Sequence, residues 1–298
     1  MAIQRSGAGV ALGQPRRISL WKPVTDFVLR KPLGAFGAII ILIMALMAVI
    51  GPMVTEWDPL THNLPDKLQG PNSRHWLGTD ELGRDMWSRM MTGARVSLLV
   101  GFASVAFGSG LGGIIGVVSG WYGGKVDNTI QRFMDALMSI PTLILAMAIT
   151  AALGTNLVNI ILAIGIVQIP RANRIVRSQV LAVKESQYVD AARAIGAVNV
   201  RIMVQHITPQ CIAPWLIIST GALGIAILTE ASLSFLGLGV PQPEPSWGGM
   251  LTGPVRDWFP IYPYLAIWPG LALSLAVYGF NLFGDAIRDV LDPRLRGT

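Results

Sequence analysis

The sequence predicts an all-α polytopic membrane protein with six transmembrane helices and both termini on the inner side. Three observations carry that reading. Hydrophobic residues make up 52% of the 298 positions and charged ones only 13%, about half the charge of a soluble domain, and the mean hydropathy is +0.54. The apolar residues are gathered into runs close to the ~20 residues that cross a bilayer. Seventeen of the 23 Lys and Arg fall on one side of those runs, the asymmetry that sets topology.

The first run, Leu33 to Val54, follows a basic tail of 32 residues with no small-residue cleavage pattern after it, so it reads as an anchor and not a signal peptide. Further spans are Val96 to Ser119, Phe133 to Leu153, Leu157 to about Ile169, Cys211 to Phe235 and Pro263 to Gly284. Pro141 should kink the third. The apolar part of the fourth is short, and it crosses only if Gln168, Pro170 and part of 171–176 belong to the same helix. Charge supports keeping it: without it Arg288, Arg294 and Arg296 would lie outside. Trp57, Trp121 and Trp258 fall near span ends, as an aromatic belt requires.

The formal charge of +6 is thereby a topology signal, and a nucleic-acid partner is unnecessary. Cys211 is alone, and His62, His75 and His206 have no metal-ligand spacing. Gly108-Ser109-Gly110-Leu111-Gly112-Gly113 matches a dinucleotide fingerprint but lies inside an apolar span with no strand before it. It reads better as part of a seam, Gly108, Gly112, Gly116 and Gly120 with Ser104, that lets a neighbouring helix approach closely. Gly123-Gly124-Lys125 lacks the earlier glycine and the following Ser/Thr of a phosphate loop. No cofactor site is read in this chain; if ATP is used, a partner must bind it.

Two acids fall in or beside spans, and such groups are functional candidates. Asp135 follows Arg132 by three residues, which favours an interfacial ion pair. Glu230 is followed by Ala231-Ser232-Leu233-Ser234-Phe235, and both a structural carboxylate and a gate residue fit it. The longest inner loop, Arg171 to Gln210, contains a short helical stretch from Gln187 with Gly196 suited to the C′ position. There Tyr188, Ala191 and Ala192 offer an anchor and a smooth face to another protein. A second helical piece from about Val200 should end before Pro209.

This loop, Asp190-Ala191-Ala192-Arg193-Ala194-Ile195-Gly196 with Pro209 beyond it, resembles the cytoplasmic signature of type I ABC importer membrane subunits. It has Asp where that signature has Glu, and His206 and Thr208 where it is aliphatic. Leu77-Gly78-Thr79-Asp80-Glu81-Leu82-Gly83-Arg84-Asp85, Leu233-Ser234-Phe235-Leu236-Gly237-Leu238-Gly239 with Trp247-Gly248, and Phe280-Asn281-Leu282-Phe283-Gly284-Asp285 with Leu291-Asp292-Pro293-Arg294 narrow it. Together they resemble the second permease subunit of dipeptide/oligopeptide importers, from the first span to the C-terminus.

The resemblance implies a type I importer transmembrane fold in the bacterial inner membrane. Its parts would be a cytoplasmic tail (1–32), a first helix (33–54), a periplasmic segment (55–94), a transmembrane domain (95–288) with a coupling loop (177–210), and a C-terminal tail (289–298). The implied partners are a homologous permease, two ATPases holding ATP and Mg, and a periplasmic solute-binding protein. Tyr188, Asp190, Ala191, Ala192 and Gly196 would transmit the ATP stroke, with Glu230 and Phe235 near the periplasmic gate. Di- or oligopeptides are the implied cargo, with nickel complexes or another small solute as the alternative. A secondary carrier would need repeated halves and paired intramembrane charges, and neither is evident in the sequence.

Overall fold

The computed structural model describes residues 29, 31–253 and 255–291. The N-terminal tail up to Arg30, apart from Leu29, and the Asp292-Pro293-Arg294 motif with Arg296 lie outside the described residues. Among those described the chain is almost wholly helical, with one isolated β-bridge between Thr79 and Asp85.

Helix α1 (Pro32–Val54) begins on a proline, whose missing N–H costs nothing there. It crosses α10 (Tyr264–Leu291) where Gly37 meets Gly279. A Cβ on Gly37 would stand 2.7 Å from the Gly279 carbonyl oxygen, so two glycines let the backbones touch. Lys31 and Asp289 pair at 2.6 Å and hold the start of α1 against the end of α10.

Helix α2 (Met86–Tyr122) is the axis of the bundle. Its 37 residues give about 55 Å at 1.5 Å per residue, well beyond a ~30 Å hydrocarbon core. The Asp85 carboxylate caps it by accepting from the Ser88 N–H at 2.8 Å. At the far end Gly123 and Gly124, with φ of 62° and 54°, reverse the chain into α3 (Gly124–Met138).

The single third span expected from Phe133 to Leu153 is instead two helices. Helix α3 and α4 (Thr142–Leu153) meet at 92° across 139–141. Pro141 has no N–H to give a continuing helix and steers Ile140 away from helical dihedrals.

Helix α5 (Leu157–Val183), capped by Asn156, which accepts from the Asn159 N–H at 2.8 Å, runs down the length of α2. The inner loop expected from Arg171 is therefore helical as far as Val183, with Pro170 inside the helix. Next come α6 (Gln187–Ala194), α7 (Asn199–Ile202), a π-helical turn (Met203–Ile207) and α8 (Thr208–Phe235). The stretch from Val200 does not end before Pro209: the π turn carries it into the span. Helix α9 (Val255–Trp258) precedes α10.

Among the described residues, four helical stretches are long and apolar enough to cross a membrane, and the α3–α4 pair makes a fifth if taken together. The segment from Leu157 is α5, whose second half carries Arg171, Arg174 and Arg177. The main apolar core joins α1, α2, α8 and α10, while a smaller cluster lies under α6.

Candidate functional site

Helix α6 is short, and tertiary packing holds it. Val189 is fully buried and Ala192 is 6% exposed, both against Val176, Val180, Ile202, Ile207 and Cys211. An eight-residue helix is marginal by itself, so these inward residues fix its position. Gly196, at φ 81°, closes it. The Gly196 N–H donates to the Arg193 carbonyl at 2.9 Å and the Ala197 N–H to that of Ala192 at 3.0 Å, the paired bonds of a Schellman end.

The outward face is formed by Tyr188, Asp190 and Ala191, all exposed, with Ile195, Val198 and Val200 beside it. Asp190 pairs with Arg193 at 3.1 Å, and Arg193 lies over the Trp121 ring at the end of α2. The Tyr188 ring approaches that of His206 on the π turn. Ala192 faces inward, so of the two alanines only Ala191 is open to a partner.

The seam glycines of α2 meet α5. A Cβ on Gly108 would run into Gly165; on Gly112 it would stand 2.5 Å from the Ile169 carbonyl oxygen, on Gly116 2.7 Å from that of Asn173, and on Gly120 2.8 Å from Val180 Cβ. Below the seam, Asp127 of α3 binds Arg177 of α5 through Nε at 2.6 Å and accepts from Ser119 of α2. Gln131 donates to Ser119 Oγ and Asn173 Oδ1. Asp135 pairs with Arg174 at 2.6 Å, across helices and not with Arg132. Sequence reasoning missed the Asp127–Arg177 clamp, whose partners are fifty residues apart.

Glu230 is fully buried near the other end of the bundle. Ser234 Oγ donates to it at 2.8 Å and Ser97 Oγ of α2 at 3.4 Å. Ser97 in turn accepts from the Trp247 N–H at 3.1 Å, and Trp247 Nε1 donates to the Met90 carbonyl. The carboxylate thus ties α8, α2 and the 236–252 segment together. Phe235, five residues on, is 46% exposed. That Ser97 would meet Glu230 had no signal in the sequence, since serines recur throughout the spans.

The segment 55–85 is a folded polar plug. Asp80 takes the Arg84 Nε at 2.6 Å and Arg89 at 3.5 Å. His75 Nδ1 lies 2.9 Å from Asp85, and its ring sits 4.9 Å from that of Trp57 at a tilt of 41°. The Tyr264 hydroxyl donates toward the Gln69 and Thr79 carbonyls at 2.9 and 3.0 Å, pinning the plug to α10. Gly78 and Gly83, at φ 84° and 73°, make its turns. The density of charge between turn glycines was the available signal.

Residues 112–297 match the family of binding-protein-dependent transport system inner membrane components, and residues 19–71 match the N-terminal TM domain of oligopeptide transport permease C. The dipeptide transport system permease protein DppC of Alkalihalophilus pseudofirmus is 39% identical over 279 residues, covering 94% of this chain and 91% of that one. The glutathione transport system permease protein GsiD of Pectobacterium atrosepticum is 38% identical over 277 residues, 93% and 92%. Among solved structures, a chain of the MetNI methionine ABC transporter in inward facing conformations superposes with TM-score 0.57 at 20% identity, covering 70% of this chain and 97% of that one.

Proposed function

Since the chain belongs to the family of binding-protein-dependent transport system inner membrane components, we propose that it forms half of the translocation pore of an ATP-driven importer of di- or oligopeptides in the bacterial inner membrane. A homologous permease supplies the other half, two cytoplasmic ATPases hold ATP and Mg, and a periplasmic binding protein delivers the solute. The termini, the basic second half of α5 and α6 then lie on the cytoplasmic side, and Glu230 and the 55–85 plug on the periplasmic side. The identities near 40% with relatives named for dipeptide and glutathione transport, over nine-tenths of both chains, support peptide as cargo.

The observation that carries the mechanical half is the two-sided build of α6: Val189 and Ala192 rooted in the bundle, Tyr188, Asp190 and Ala191 turned out. A partner that grips the outer face moves the α5–α8 wall to which the inner face is attached. When the ATPases close, α6 follows and the half-pore rotates against its partner, a rigid-body switch. Glu230 and Trp247 then hold the outer segment to α2 and α8 as they turn. Reconstitution tests this. The complete importer should move labelled dialanine with ATP and binding protein, and this chain alone should move none; ATP-independent transport by the chain alone would instead mark a secondary carrier.

A further inference from the structure

A cavity of about 430 Å³ lies between the end of α1 and the start of α2, walled by Val54, Glu56, Trp57, Arg74, Trp76 and Trp87. Val54 closes α1 with 65% of its surface exposed, and Met53 and Val49 before it are at least as open. The mouth of the cavity therefore stands where that apolar face leaves the hydrocarbon.

Local structure sets the walls in advance. Asn72 Oδ1 accepts from the N–H groups of Arg74 and His75, each at 2.9 Å, and His75 is buried against Asp85 and Trp57. With His75 turned in, its neighbours Arg74 and Trp76 are turned out. The Arg74 guanidinium lies 5.2 Å from the centroid of the Trp57 ring, and the Trp76 and Trp87 rings are 5.4 Å apart. Asp85 also reaches the cavity, but its carboxylate is engaged by His75 and the Ser88 N–H. The available charges are Arg74 and Glu56. Both are exposed, and among the described residues neither makes an ion pair, with the other or elsewhere. A cation and an anion that line one cavity without pairing suit a ligand carrying both charges. Indole faces add attraction for an ammonium, and Trp76 is 65% exposed.

We propose that this cavity seats the headgroup of a phospholipid bearing both phosphate and ammonium, such as phosphatidylethanolamine. Arg74, held on Trp57, takes the phosphate with the Ser73 hydroxyl beside it. Glu56 and the Trp76–Trp87 pair take the ammonium, and the acyl chains run along the open apolar face of α1. Tryptophan at headgroup level is where its amphipathic ring is most stable. The site requires that α1 spans the membrane and nothing of the cargo.

Native mass spectrometry of the complete importer, titrated with phosphatidylethanolamine and phosphatidylglycerol, tests this. Arg74→Gln should weaken both lipids at one site, on the order of tenfold. Glu56→Gln should remove the preference for phosphatidylethanolamine, and Glu56→Asp should keep it. Both side chains are exposed, so the variants should melt with the wild type. Unchanged phosphatidylethanolamine affinity in both Arg74→Gln and Glu56→Gln would overturn the site. Displacement of the lipid by free phosphoethanolamine or by dialanine at equal concentration would assign the cavity to a soluble zwitterion and overturn the lipid.

Discussion

Single residues divide sharply by what surrounds them. Gly112 and Gly110 are two positions apart on α2, yet a Cβ on Gly112 meets the α5 backbone while one on Gly110 meets nothing within 4 Å. Gly112→Leu should therefore lower stability by about 1–3 kcal/mol or prevent folding, as overpacking does. Gly110→Ala should be neutral or stabilising by up to ~1 kcal/mol; thermal unfolding in detergent reads both. The period of four was legible in the sequence because Gly at one face of a span has few other uses, whereas the partner helix was not, since pairing depends on the whole bundle. Glu230 is the reverse case. Its polarity was conspicuous, but its hydroxyl partners come from positions as distant as Ser97. Glu230→Leu removes the acceptor of Ser97 and Ser234 and should cost about 1–3 kcal/mol, with Glu230→Gln close to wild type by the same unfolding measurement.

Whole elements were legible where periodicity and end signals agree, and obscure where charge interrupts a helix. Gly196 marked the end of α6, and its left-handed dihedral follows from that role. The helix from Leu157 was harder to see past Ile169 because Arg171, Arg174 and Arg177 end the apolar run, although arginine is a good helix former and the helix simply leaves the hydrocarbon. Pro141 announced a bend, but its angle of 92° is set by the packing of α3 and α4 on α5, which no local signal encodes. The two faces of α6 predict opposite outcomes. Val189→Asp, or Ala192 replaced by a bulky charged residue, buries an unpaired charge and should unseat α6, read as proteolysis between 184 and 200. Ala191→Glu should leave that segment as protected as in the wild type.

At the scale of the molecule, the start of α1, the end of α10 and helix α6 lie at one end of the bundle, and the plug and the Glu230 cluster at the other. Hydropathy and the placement of cations anticipated a multi-pass membrane protein, and the quoted motifs its family. The cavity between the end of α1 and the start of α2 was invisible in the sequence because its lining comes from separate stretches of the chain. On the function proposed above, a membrane subunit so built works as a lever between a cytoplasmic motor and a pore. The most direct test is the complete importer carrying Ala191→Glu, assayed for ATPase co-purification and dialanine uptake. The lever account predicts a permease of wild-type melting temperature that no longer retains its ATPases and takes up no peptide. Wild-type retention of the ATPases together with undiminished uptake would contradict it.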